Sequence, residues 1–237
     1  MSDPAGPLLS VRADARLLVP PDSAILSARI AVSREAKADA VRAAASELDQ
    51  LTASLAGLGG TAFTPGTGRH PLTWSAQSAT THAERDHDPE TGRYELTGRM
   101  TATVTVVITV RAFELLDSLG ATLAAHDALH VHDVTWDVDG DNPAWPEVRA
   151  AAIQAALRKG RDYAAALGGT LDRVEHIADA GLIGRGDGAG FRFSGAARAA
   201  RAGGDEGEAP SLDPVPQELT AVIEARFTAA GVILGSD

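Results

Sequence analysis

The 237-residue chain carries 32 acidic against 21 basic residues, a formal charge of −11, and a field of that sign repels phosphate backbones and anionic bilayers. It has no cysteine, which excludes disulfides, thiolate-bound zinc, iron–sulfur clusters and a thiol nucleophile. Hydrophobic residues make up 44% of it but aromatics only 4%, so a sizeable core must be built from Ala, Val, Leu and Ile. Lys37 and Lys159 are the only lysines, an arginine bias typical of GC-rich bacterial genomes. Residues 1–7 show no basic stretch leading into an apolar run, and no apolar run approaches the roughly 20 residues that span a bilayer. A cytoplasmic protein with a flexible N-terminus over 1–7, binding neither nucleic acid nor membrane, is expected.

Leu8 to Val19 reads as a first strand, closed by Pro20-Pro21, and Asp22 to Ser33 as a second with Ala24, Leu26, Ala28, Ile30 and Val32 on one face. The pattern predicts a β-hairpin between them. Ser33 stands where an N-cap would, with Glu35 in the first turn of a helix carrying Val41, Ala44, Leu48, Leu51, Leu55 and Leu58. Gly59-Gly60 stops it. Leu72 to Ala83, rich in Ser, Thr and Ala, reads as one strand, and Asp86 to Gly92 as a charged turn. From Met100 to Val110 every even position is apolar and the odd ones are Thr except Val107, the mark of a half-buried antiparallel strand. Phe113, Leu116, Leu119 and Leu123 mark a short helix.

Leu129 to Val138 is a further strand, with Val131, Asp133, Thr135 and Asp137 on one face and His130, His132, Val134, Trp136 and Val138 on the other. Asn142-Pro143 opens a helix running to Leu167, with the stripe Ala150, Ile153, Leu157, Gly160, Ala164 and Leu167, and Gly168-Gly169 ends it. Strands follow at Leu171 to Ala180 and Leu219 to Phe227. Several strands stand between successive helices, which predicts an α+β fold: a largely antiparallel sheet packed with two long helices and a shorter one. A single domain is expected over 8–183 and 215–233, interrupted by a Gly/Ala/Arg-rich loop at 184–214, mobile and without periodicity.

The run from Ala152 through Lys159 and Gly160 to Ala166-Leu167-Gly168, followed by Leu171 and Val174, resembles the C-terminal signature of the SIMPL-domain family. Pro21-Asp22-Ser23-Ala24 before the second strand, and Thr101 to Val110 leading into Arg111-Ala112-Phe113-Glu114-Leu115, agree in order with that family, as does the closing strand near Val222 to Phe227. Gly160 stands where Ala is usual and Asp172 where Gly is usual. The resemblance spans about residues 8–233. It implies the fold and a tendency to homo-oligomers, ring- or channel-like in some members, with links to stress tolerance and signalling in others. It implies no reaction and no catalytic residue.

His126, His130 and His132 are the candidate metal ligands, since two imidazoles two apart on a strand share a face. The spacing places no third or fourth ligand, and a pair of strand imidazoles beside acidic neighbours is the plainer reading. Asp137, Asp139 and Asp141 open like a calcium loop, but position six is Asn142 and position twelve Val148. Gly184, Gly186, Gly188 and Gly190 lack the Lys-Ser/Thr of a phosphate loop. Arg185, Arg192, Arg198 and Arg201, with Phe191 and Phe193 between, form a local basic cluster suited to a partner, or to pairing with Asp205, Glu206 and Glu208. Trp74, Trp136 and Trp145 read as core or interface anchors. Ser194 precedes Gly195 without a nucleophile elbow. The expectation is a non-enzymatic protein without a cofactor, self-associating and acting through a surface or an oligomeric cavity. The alternatives are a metal-dependent binder or enzyme built on the three histidines, and a signalling or stress-related adaptor.

Overall fold

The structure, a computed structural model, describes residues 6–66, 68–88, 92–181 and 212–232. In chain order, β1 (Leu8–Val19) and β2 (Ser23–Arg34) precede α1 (Lys37–Gly57), and β3 (Thr61–Ala62), β4 (Leu72–Ala76), β5 (Thr80–Asp88) and β6 (Arg93–Val110) follow. Next come a 3-10 turn (Phe113–Leu115), α2 (Leu116–Ala124), β7 (Leu129–Asp137), α3 (Ala144–Ala166), β8 (Thr170–Asp179) and β9 (Gln217–Ala230). The fold is α+β and its sheets are mostly antiparallel. The chain divides into two compact units, one holding β1, α3, β8 and β9, the other holding β2 to β7 with α1 and α2.

In the second unit β6 is the organising strand of a sheet ordered β3-β4-β6-β2-β7, with β5 also paired to β6. Its even positions from Ala102 to Val110 are buried and its odd ones half-buried, as the alternation predicts. α1 packs across β2 and β6, and Ala40, Ala44, Leu51 and Leu55 meet Leu26, Ile30, Val106 and Ile108 in one core. Leu116, Leu119 and Leu123 of α2 close it, and Trp136 meets Phe113 edge-on, with centroids 5.6 Å apart.

Three local expectations are corrected here. Ser33 does not cap α1: β2 stays in register with β6 as far as Arg34, the helix begins after an extended Ala36, and Asp39 is the acid in its first turn. The stretch from Leu72 to Ala83 is two strands, broken at 77–79, and both lie along β6, which at 18 residues is long enough to take them in succession. Asp86 and His87 belong to β5, not to a turn.

The other unit is a three-stranded sheet, β1-β9-β8, with α3 on one face. The hairpin between β1 and β2 does not form. β1 pairs along its whole length with β9, and β2 lies between β6 and β7. Two successive prolines hold φ near −65° and cannot supply the positive φ of a tight hairpin turn. α3 buries Val148, Ala152, Ala156, Gly160 and Ala164, a row at every fourth residue, not the row through Ile153 and Leu157, which stay half-buried. Small residues win that face because the helix lies close to the sheet. A Cβ on Gly160 would sit 3.0 Å from the fully buried Phe227 ring and 3.3 Å from Leu171 Cδ1, so a side chain there would require the ring to shift.

Removing that ring tests the packing. Phe227→Ala should cost about 3–5 kcal/mol in urea unfolding. A loss under about 1 kcal/mol would mean that Phe227 does not fill the space beside Gly160.

Candidate functional site

β2 ends opposite Met100, whereas β6 begins at Arg93. The first residues of β6 therefore pair with β5 alone, and Arg93 to Arg99 are all exposed. The result is a two-stranded arm, an arrangement only marginally stable without support. Cross-strand pairs of Met100 with Ala83, Leu96 with Arg85 and Tyr94 with His87 carry the apolar side of β6 out along it. In the body of the sheet that side is covered by α1. On the arm Tyr94 is 69% and Leu96 64% exposed, and the His87 ring leans on Tyr94 at 5.1 Å.

The base of the arm is a β-bulge, where Glu84 stands against Thr97, Gly98 and Arg99. Gly98 has φ +78°, which a side chain would strain. Polar groups lock the bend. Ser33 Oγ donates to Glu84 Oε2, while Arg99 Nε donates to Ser33 Oγ and Arg99 Nη2 to the Ser33 carbonyl, each at 3.0 Å. Arg99 Nε also lies 3.5 Å from Glu84 Oε2. Thr97 Oγ1 donates to the Glu84 carbonyl at 3.4 Å and accepts from Arg99 N–H at 3.2 Å. An isolated exposed ion pair contributes little, but here one guanidinium ties the end of β2 to both strands of the arm. Ser33 and Glu84 thus serve a junction that sequence reasoning missed. The arm and its bulge, unlike that bond, left signals: apolar Leu96 and Tyr94 extend the even-position pattern backward, and a glycine inside a strand marks a bulge.

The histidines are differently placed from the prediction. β7 has a bulge against Ser27/Ala28, with His132 as the extra residue. The bulge resets the alternation, so Val131, Val134 and Trp136 lie opposite the inward Ala28, Leu26 and Ala24, and Asp133 lies opposite Ser27. His130 and His132 are exposed and no longer follow one alternating face. His130 stands opposite Arg29, a cation that disfavours a bound metal. His126 Nε2 lies 3.2 Å from Ser54 Oγ of α1. Among the described residues no group of three or more His, Cys, Asp or Glu is placed to hold a metal ion.

Asp139 contributes its carbonyl, which accepts Trp145 Nε1 at 2.9 Å and Asn142 N–H at 3.0 Å, while Asn142 Oδ1 accepts the Ala144 amide at the start of α3. The acidic run is a turn into a helix, with Arg149 over the Trp145 ring at 5.5 Å. Arg185, Phe191, Arg192, Phe193, Arg198 and Arg201 lie outside the described residues, as does most of the 184–214 loop. In the β1-β9-β8 unit an open groove of about 600 Å³ is lined by Ile153, Ile177 and Ile223 together with Arg149, His176 and Asp179. No helix among the described residues is long and apolar enough to cross a membrane.

Mostly antiparallel sheets backed by helices rich in small residues, with polar clusters at turns and at a strand junction, define an α+β protein. The chain belongs to the SIMPL family, described as proteins of unknown function (DUF541), whose model matches residues 9–227. The match spans the segments that carry the resemblance, from Pro21 to Phe227. No curated protein matches the chain.

The junction is open to test. Arg99→Ala removes the group that joins β2 to the arm, and amide exchange at Arg85–His87 and Tyr94–Leu96 should accelerate roughly tenfold, with the amides of 102–110 unchanged. Equal acceleration in both regions would show that Arg99 supports the whole sheet and not the arm.

Proposed function

We propose that this protein is a non-enzymatic, self-associating module of the SIMPL family, and that the β5–β6 arm is its contact surface. The observation that carries the reading is the exposure of Tyr94 and Leu96 side by side on one face of the arm. Each offers apolar area whose burial is worth roughly 1.5–3 kcal/mol, and an aromatic with a polar tip suits the centre of an interface. The junction of Ser33, Glu84 and Arg99 supports the same reading, because a fixed bend orders the arm before contact and lowers the entropy cost of binding. Self-association also accords with the homo-oligomers that the family resemblance implies.

Light scattering on size-exclusion eluates of untagged protein tests this directly. The wild type should elute as a defined oligomer, and Tyr94→Asp combined with Leu96→Asp should weaken it about 100-fold. A wild type that stays monomeric up to high concentration would overturn self-association and leave the arm to a different protein.

A further inference from the structure

We infer that the outer edge of β1 is a second contact between copies of the chain, in which β1 pairs antiparallel with the same strand of another copy about a twofold axis through Ala13. The inference rests on the self-association reading but concerns a different strand in a different compact unit. Among the described residues, β9 is the one strand paired with β1, over all 12 residues from Leu8↔Thr228 to Val19↔Gln217 without a register shift. An unbulged edge of that length is a template for another strand. The opposite edge of the same sheet differs. β8 is bulged at Asp172 and at Glu175, which disrupts further pairing.

The order of residues along β1 selects the partner. With Ala13 on the axis, Arg12 stands opposite the partner's Asp14, and Asp14 opposite the partner's Arg12, so two ion pairs form by symmetry. On the same face Leu8 meets the partner's Leu18 at each end. These are among the most exposed large apolar residues described, at 54% and 69%. On the α3 side Val11 meets the partner's Ala15, and Leu9 the partner's Leu17. Residues directly opposite in an antiparallel pair share a face, so the helix-covered sides of both copies fall together and the three strands of each become a six-stranded sheet. Moving the axis to Asp14 sets that carboxylate against itself and Arg12 against Arg16, which like charges oppose.

These charges are only partly engaged within one copy. Arg16 already reaches Glu218 at 3.5 Å and Asp14 at 3.8 Å within its own sheet, whereas Arg12, which stands opposite Glu224 of β9, makes no ion pair among the described residues. Lys159 Nζ donates to the Arg12 carbonyl at 3.1 Å. A lysine beside an edge is a guard against unspecific pairing, and its flexible stem can withdraw.

Because the chain has no cysteine, the register can be trapped. Ser10 and Arg16 face each other across the proposed axis but lie about 20 Å apart along one strand, too far for an intrachain bridge. Ser10→Cys with Arg16→Cys should form a covalent dimer on mild oxidation, and Ser10→Cys alone should not. In sedimentation equilibrium Arg12→Asp should weaken association about tenfold, and adding Asp14→Arg should restore it, with circular dichroism confirming the fold of each variant. Absence of the covalent dimer, or no rescue by the charge swap, would overturn the pairing while leaving the arm reading intact. Persistence of the covalent dimer in the Tyr94→Asp, Leu96→Asp background would support the pairing independently of the arm.

Discussion

The alternation along β6 is the constraint on which its sheet depends. Ala102, Val104, Val106, Ile108 and Val110 face α1 and α2, and the threonines between them face outward. A slip of one residue against β2 would turn every threonine hydroxyl into a core that holds no partner for it. The unbroken register from Ala24↔Val110 to Arg34↔Met100 follows from that penalty. The arm is its by-product. β2 has 12 residues and β6 has 18, so the start of β6 outruns its neighbour and keeps only β5.

A core poor in aromatics has to gain density by bringing helix and sheet together. Alanine and glycine on the buried faces of α1 and α3 do this, since a close approach removes voids that small side chains would otherwise leave. Phe227 is the exception that reveals the design. Its ring occupies the space left by Gly160, and the residue that looks like a helix breaker is the one that seats it.

Legibility in the sequence followed the range of the interaction involved. β1, β2 and the body of β6 were readable because alternation is a local record of burial, and α2 because its leucines repeat at helical spacing. The partner of β1 was not readable, since β9 lies some two hundred residues away and only long-range pairing decides it. The phase of β7 failed at His132, where a bulge inserts one residue without any local mark. α3 misled for a different reason: Ile153 and Leu157 are the larger apolar residues, but closeness to the sheet favoured the small ones. At the candidate site Tyr94 and Leu96 carried a signal, while the bond of Ser33 to Glu84 joins residues 51 apart and carried none.

Association of a chain with charge −11 works against its own field, and at physiological salt that field is screened beyond about 8 Å. Contact surfaces must therefore be locally balanced even though the whole is acidic. The two proposed surfaces meet this condition. The arm mixes Arg85, Asp86, Arg93 and Glu95 around Tyr94 and Leu96, and β1 places Asp14 between Arg12 and Arg16 with leucines at its ends. A twofold contact closes on itself and yields a pair, so an assembly larger than two needs a second, different contact.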